Sequence, residues 1–185
     1  RQRDRRRHRR AGRAGRMSGR AWKVGDNVST DEILPGRYLS VTDDAELALH
    51  ALEGVSPAIA AGIRPGDVLV AGANFGTGSS RQGAPRAIKA AGCSAIVATS
   101  FARIFFRNCV NGGLPAIWSP AAAAGIEDGH ELAVDATAGL IRNLSTGQEW
   151  SVPPVPDFVR LIAEAGGLAE YARARLAAGL PLVPR

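Results

Sequence analysis

Two adjacent hydroxyls and a guanidinium, Ser79, Ser80 and Arg81, stand in a loop that also carries Gly72, Gly76 and Gly78. An arginine fork grips a carboxylate bidentately, and backbone N–H groups exposed in a glycine-rich turn add further donors. The triplet therefore suits an anionic small molecule. A serine beside such charge can also act as a base, its alkoxide stabilised by the guanidinium and by N–H donors in a dry pocket. That chemistry fits removal of a proton from carbon next to a carboxylate. The same residues read equally well as a helix cap around a structural anion, and residue types alone leave both readings open.

Other catalytic classes fall away. No Walker-type lysine follows the glycines, and GANFGTGSS does not fit GxGxxG, so nucleotide binding has little support. His8, His50 and His130 are far apart in sequence, which argues against a zinc site or a serine–histidine triad. His50 reads as a packing or surface residue. Cys93 and Cys109 form neither a disulfide framework nor a metal motif by spacing, and they point to a reducing, cytoplasmic setting.

The elements that must position the triplet are legible around it. Val68 to Ala71 predicts a strand, and Ala84 to Ala91, with Pro85 near its first turn and Gly92 after it, predicts a helix. The loop would then lie where that helix offers free N–H groups and the positive end of its dipole. Ser94 to Ala98 predicts a buried strand. Phe101, Ile104, Phe105 and Cys109 predict one buried face of a helix closed by Asn111-Gly112-Gly113, and Leu114 to Trp118 a further strand. This alternation is an α/β unit with parallel strands.

Upstream, residues 25–32 read as a polar loop, Pro35-Gly36 as a turn, and Asp43 with Glu46 as a capping box opening a helix through Leu52. Downstream, residues 131–152 read as a small antiparallel meander with a turn at Asn143 to Gly147. Two closing helices follow, one from Asp157 and one from Leu168 to Ala178. No internal repeat is visible.

The chain of 185 residues has 45% hydrophobic and 22% charged residues, an ordinary balance for one domain with a real core. No apolar run approaches the roughly 18 residues a membrane span requires. Residues 1–16 hold nine arginines and one aspartate, a local charge of +8, so the net +6 of the whole leaves −2 for residues 17–185. The leader lacks apolar periodicity and is expected to be disordered. A nucleic-acid-binding tail, a transit peptide and translated sequence upstream of the true start compete for it. Met17, the only methionine, favours the third, with residues 17–185 as a single domain.

Three motifs in order, GDNVSTDEILPGRYL, GANFGTGSSRQGAP and SFARIFFRNCVNGGLPAI, resemble the small subunits of 3-isopropylmalate dehydratases and their homoaconitase and aconitase relatives. The resemblance covers most of residues 22–118. It implies a swivelling β/β/α domain with mixed parallel and antiparallel strands. It also implies a hydro-lyase that is active only with a large subunit, whose [4Fe-4S] cluster leaves one iron open to substrate, with no cofactor on this chain.

Carried over by position, the resemblance makes Ser79 the base, Arg81 the holder of a substrate carboxylate with Ser80 beside it, and Asp31 the active-site acid with Thr30 alongside. Homoaconitase-like relatives place an arginine after Tyr-Leu, where this chain has Ser40. A distal carboxylate would lose a charge-assisted partner there, worth about 1.5 to 3 kcal/mol, which favours an alkyl substituent as in isopropylmalate. Arg37 offers partial compensation, so a homoaconitase or dimethylmalate-type dehydratase stands as the alternative. An RNA-binding protein using the basic leader is the alternative of another class. Gln82 and Gly83 depart from the Glu-His that relatives place there, removing two expected neighbours of Arg81.

Overall fold

The computed structural model describes residues 16–182. Seven strands form one mixed sheet in the order β4-β3-β2-β1-β5-β6-β7. β1 (Arg16–Lys23) lies at its centre, parallel to β2 (Val68–Ala71) and antiparallel to β5 (Glu131–Asp135). Parallel pairing continues through β3 (Ala95–Ala98) and β4 (Ala116–Trp118). Antiparallel pairing continues through β6 (Leu140–Asn143) and β7 (Glu149–Ser151). The mixed α/β architecture is the expected one.

The sheet is buried on both faces where its strands are parallel. Every residue of β2 and β3 is buried, and the period of two sends Leu69, Ala71, Ile96 and Ala98 to one core and Val68, Val70, Ala95 and Val97 to the other. The first core also takes Ile33, Leu34, Phe75, Ile88, Phe105 and Cys109, and it is the layer beneath the serine loop. The second takes Ile126, Leu132, Val134 and Ile141 from the meander side.

Eight α-helices are present among the described residues. α1 (Thr30–Ile33), α2 (Asp44–Leu49), α3 (Pro57–Gly62), α4 (Gly83–Ala90) and α5 (Arg103–Gly112) precede β4 or lie between the parallel strands. α6 (Pro120–Gly125), α7 (Asp157–Glu164) and α8 (Leu168–Ala177) complete the set. Pro57 and Pro120 each sit in a first turn, where the missing N–H costs nothing.

Several expectations need correction. The segment 25–32 is not all loop: Ser29 and Glu32 form a full capping box that opens α1, a Ser-x-x-Glu signature present in the sequence. At Asp43 the side chain does accept from Glu46 N, but α2 ends at Leu49, not Leu52. The chain turns there with Leu52 at φ +63°, so that Leu52 N reaches Ile33 O and Gly54 N reaches Glu32 O. Ile104 is half exposed, because α5 starts only at Arg103, after Phe101 has bridged to Phe75 in extended form. Phe105 and Cys109 alone carry the buried stripe of that helix. Arg16, assigned to the leader, pairs with Asp135 as the first residue of β1; residues 1–15 lie outside the described residues.

Candidate active site

The serine loop leaves β2 and is tied down at several points before α4 begins. Gly76 N donates to Val28 O at 2.8 Å, Thr30 N donates to Thr77 O at 2.8 Å, and Phe75 bridges Phe101. Gly76 is required on two counts: its φ is +79°, and a β-carbon would stand 2.1 Å from Phe105 Cγ. The loop therefore lies directly on the aromatic layer formed by Phe75, Phe101 and Phe105, which meet edge to face.

These ties bring four residues together from two segments some fifty positions apart. Ser79 N donates to Thr30 Oγ1 at 3.1 Å, and Thr30 is fully buried. Arg81 Nε donates to Ser79 Oγ at 3.1 Å, while Arg81 Nη1 donates to Asp31 Oδ1 at 2.6 Å and to Leu34 O at 3.4 Å. Capping of α1 is what presents Thr30 and Asp31 in consecutive helical positions, the first inward and the second outward. The Asp31 side chain is 63% exposed, whereas that of Arg81 is 17% exposed, so the guanidinium is held from below and the carboxylate forms the outer rim.

Neither serine caps a helix. The N-cap of α4 is Gln82, and its side chain makes no capping bond. This removes half of the capping reading considered above. Ser80 lies beside the cluster with its carbonyl accepting from Asn108 Nδ2 at 3.1 Å, a link from α5 that no local pattern signals. Gly83 closes against Leu34, where a β-carbon would come within 3.0 Å of Leu34 Cδ2. In the absence of the Glu-His pair, Arg81 takes its support from Asp31 and the Leu34 carbonyl.

Ser40 is exposed, and Arg37 is engaged elsewhere. The 3-10 turn Gly36–Tyr38 brings Gly36 to the cluster: a β-carbon there would lie 3.9 Å from Arg81 Nη1 and 4.0 Å from Asp31 Oδ1. Arg37 itself points to Glu53, with which its Nη2 is ion-paired, and it stacks over Tyr38 at 4.7 Å. Glu53 also accepts from Tyr38 Oη at 3.3 Å and meets His50 Nδ1 at 2.7 Å. The hydrogen bond from His50, then the positive charge of Arg37, holds the Glu53 carboxyl below its usual range. Tyr38 and His50 stack at 3.6 Å, so His50 is a packing residue as expected. His130 is bound to Glu127 N and Asn143 Nδ2, and thus neither described histidine is hydrogen-bonded to Ser79.

Among the described residues no group of three or more His, Cys, Asp or Glu is placed to hold a metal ion. Cys93 and Cys109 are buried, and desolvation pushes the Cys93 thiol up to about 12 and raises that of Cys109 as well. An apolar cavity of about 590 Å³ lies away from the serine loop, between α5, β4 and α7, lined by Phe106, Leu114, Ile117, Trp118 and Val159. No helix among the described residues is long and apolar enough to cross a membrane.

A family model described as the aconitase C-terminal domain matches residues 61–121, the span from α3 to the start of α6. The 3-isopropylmalate dehydratase small subunit 1 of Methanopyrus kandleri is 52% identical over 154 residues, covering 83% of this chain and 91% of the relative. The 3-isopropylmalate dehydratase small subunit of Aquifex aeolicus is 49% identical over 163 residues, covering 88% and 97%. The crystal structure of 3-isopropylmalate dehydratase from Methanocaldococcus jannaschii superposes with a TM-score of 0.83 at 40% identity, covering 89% of this chain and 97% of that one.

Proposed function

The chain belongs to the family of 3-isopropylmalate dehydratase small subunits, and from that premise we propose that Ser79, Arg81, Asp31 and Thr30 are its half of an active site completed by a large subunit. The observation that carries the reading is the double engagement of Arg81, on Ser79 through Nε and on Asp31 through Nη1. The activity is that of a hydro-lyase in leucine biosynthesis, interconverting 3- and 2-isopropylmalate by loss and readdition of water.

Each residue has a part that follows from its position. Ser79 Oγ takes the proton from the carbon next to a carboxylate, and the Arg81 Nε–H that already points at this oxygen stabilises its anionic form. Thr30, buried and accepting from Ser79 N, fixes the backbone that carries the base. Asp31 holds the guanidinium in one orientation and is the acidic group of this half-site. Arg81 Nη2, which makes no hydrogen bond among the described residues, is left to receive a substrate carboxylate. Ser80 lines the same loop.

The cluster opens to solvent along Asp31 and both serines, where water would screen its electrostatics. A large subunit closing over this face would exclude that water, which accounts for a small chain inactive by itself. The [4Fe-4S] cluster expected on that partner would supply Lewis acidity toward the departing hydroxyl. An alkyl substituent suits the Ser40 side of the site, because Ser40 stands where homoaconitase-like relatives carry an arginine. We place the protein in the cytoplasm, a setting in which two unpaired thiols remain reduced.

The direct test is anaerobic co-expression with the cognate large subunit, followed by assay of dehydration with a panel of 2-hydroxy di- and tricarboxylates. Turnover of 3-isopropylmalate above the others is expected. A complex that forms but dehydrates none of them would overturn the reading.

A further inference from the structure

The Gly36–Tyr38 turn approaches the reactive cluster with Gly36, yet the next residue's charge is turned away from it. Gly36 stands against both Arg81 Nη1 and Asp31 Oδ1, so Arg37 begins one residue from the place where substrate carboxylates are expected. Its guanidinium is instead paired with Glu53 and stacked on Tyr38. Glu53 receives three groups at once, from Arg37, Tyr38 and His50, and two of these belong to the turn itself.

The turn that carries Glu53 is in turn fixed to α1. Leu52 N donates to Ile33 O at 2.7 Å and Gly54 N donates to Glu32 O at 3.1 Å. A β-carbon on Gly54 would stand 2.7 Å from Glu32 Cα, so the two backbones are in contact. Glu53 is thereby anchored to the helix that carries Thr30 and Asp31. Its carboxylate is ionised at neutral pH, as the lowered pKa indicates, and neutralises Arg37 in place.

We propose that Glu53 is a specificity-determining residue, which withholds Arg37 from substrate and so keeps the site selective for an alkyl over a carboxylate branch. This rests on the reading of the site given above. The discriminating pair is 3-isopropylmalate against isocitrate, which share the hydroxy-diacid frame and differ in bearing an isopropyl or a carboxymethyl branch. With Glu53 in place, the Arg37 guanidinium is paired and not available to a carboxymethyl group. With Glu53 neutralised, Arg37 becomes available to pair with it.

The test uses the full chain assembled with its large subunit. Glu53→Gln keeps the size of the side chain and a partner for Tyr38 while removing the charge that holds Arg37. It should raise the ratio of kcat/KM for isocitrate over 3-isopropylmalate by about twofold to fivefold, the scale of the exposed ion pair that the change releases. The change should lie in KM for isocitrate. Adding Arg37→Ala to Glu53→Gln should abolish the gain, and Arg37→Ala alone should leave the ratio at the wild-type value. Glu53→Ala provides a second variant with the same expected direction. An equal loss on both substrates, or a gain that survives Arg37→Ala, would overturn the proposal. A wild-type complex inactive on both substrates would instead remove the underlying reading of the site, and the proposal with it.

Discussion

Arg81 donates through Nε to the Ser79 hydroxyl at 3.1 Å, although the two side chains leave the same loop only two residues apart. Donation from a cation to a hydroxyl oxygen favours the anionic form of that oxygen, as the proposed role of Ser79 as a base requires. The consequence is specific to the hydroxyl oxygen. Ser79→Ala is expected to leave assembly with the large subunit unchanged and to lower kcat by about 10² to 10⁴, the contribution of a positioned base. Steady-state turnover and gel filtration of the complex check both halves. Near-normal turnover would return Ser79 to a purely anion-holding role.

The other edge of the guanidinium makes a different demand. Arg81 reaches Ser79 and Asp31 at the same time because its nitrogens are fixed in one plane, and a lysine ammonium is a single point on a flexible stem. Arg81→Lys should therefore behave as a loss, with kcat/KM reduced at least about tenfold for want of one charge-assisted bond. A variant within twofold of wild type would show that charge alone is sufficient.

Ser40 sets the third expectation. It follows the Gly36–Tyr38 turn and is exposed, so an arginine introduced there does not have to displace core atoms. Ser40→Arg should improve kcat/KM for isocitrate relative to 3-isopropylmalate, again by about tenfold, in keeping with one new charge-assisted contact. An unchanged ratio would separate Ser40 from substrate selection.

Much of this arrangement is legible in the sequence. Val68 to Ala71 and Ala95 to Ala98 declared themselves by continuous apolar character, and the serine loop by its glycines. The joining of Thr30 and Asp31 to Ser79 and Arg81 was available only through resemblance, because no local pattern encodes a contact across fifty residues. α1 was missed although Ser29 and Glu32 spell its cap, since a four-residue helix has no room for apolar periodicity. Ile104 was misplaced because the pattern Phe101, Ile104, Phe105, Cys109 fits a helix face only if Phe101 is helical. Phe101 instead bridges Phe75, and that tertiary contact delays the helix start to Arg103. Glu53 and Asn108 carry no local signal for their tertiary contacts, because Glu53 meets Arg37 across 16 positions and Asn108 meets Ser80 across 28.

The floor beneath the loop gives a prediction about stability. At Gly76 a methyl group would meet Phe105, a fully buried ring in edge contact with Phe75, and the backbone is in the left-handed region as well. Overpacking and conformational strain together should cost about 2 to 4 kcal/mol in Gly76→Ala. For a chain of this length that lowers Tm by about 5 to 15 °C, measurable by circular dichroism on the isolated subunit. Gly147→Ala is the control: its φ is also positive, but a β-carbon there meets nothing within 4 Å, so only the smaller strain term applies. Equal melting temperatures for the two variants would show that Phe105 moves aside freely.

The capping box on α1 links the site to pH. Glu32 accepts from Ser29 N at 2.8 Å and meets Ser29 Oγ at 2.7 Å, and these bonds lower its pKa from the ordinary 4.5. A carboxyl whose folded pKa is depressed adds stability that is fully present above the unfolded value and is lost as pH falls through the folded one. Wild type should thus be more stable than Glu32→Gln at pH 7, and the difference should begin to shrink below about pH 4.5 and vanish at more acid pH. Because α1 carries Thr30 and Asp31, the same variant should loosen the cluster and reduce turnover even at neutral pH. Denaturant melts of both proteins from pH 7 down to the acid limit follow the first effect, and assay of the assembled complex follows the second. A stability gap that stays constant with pH would show that the Glu32 charge contributes nothing beyond the hydrogen bonds a glutamine can also make.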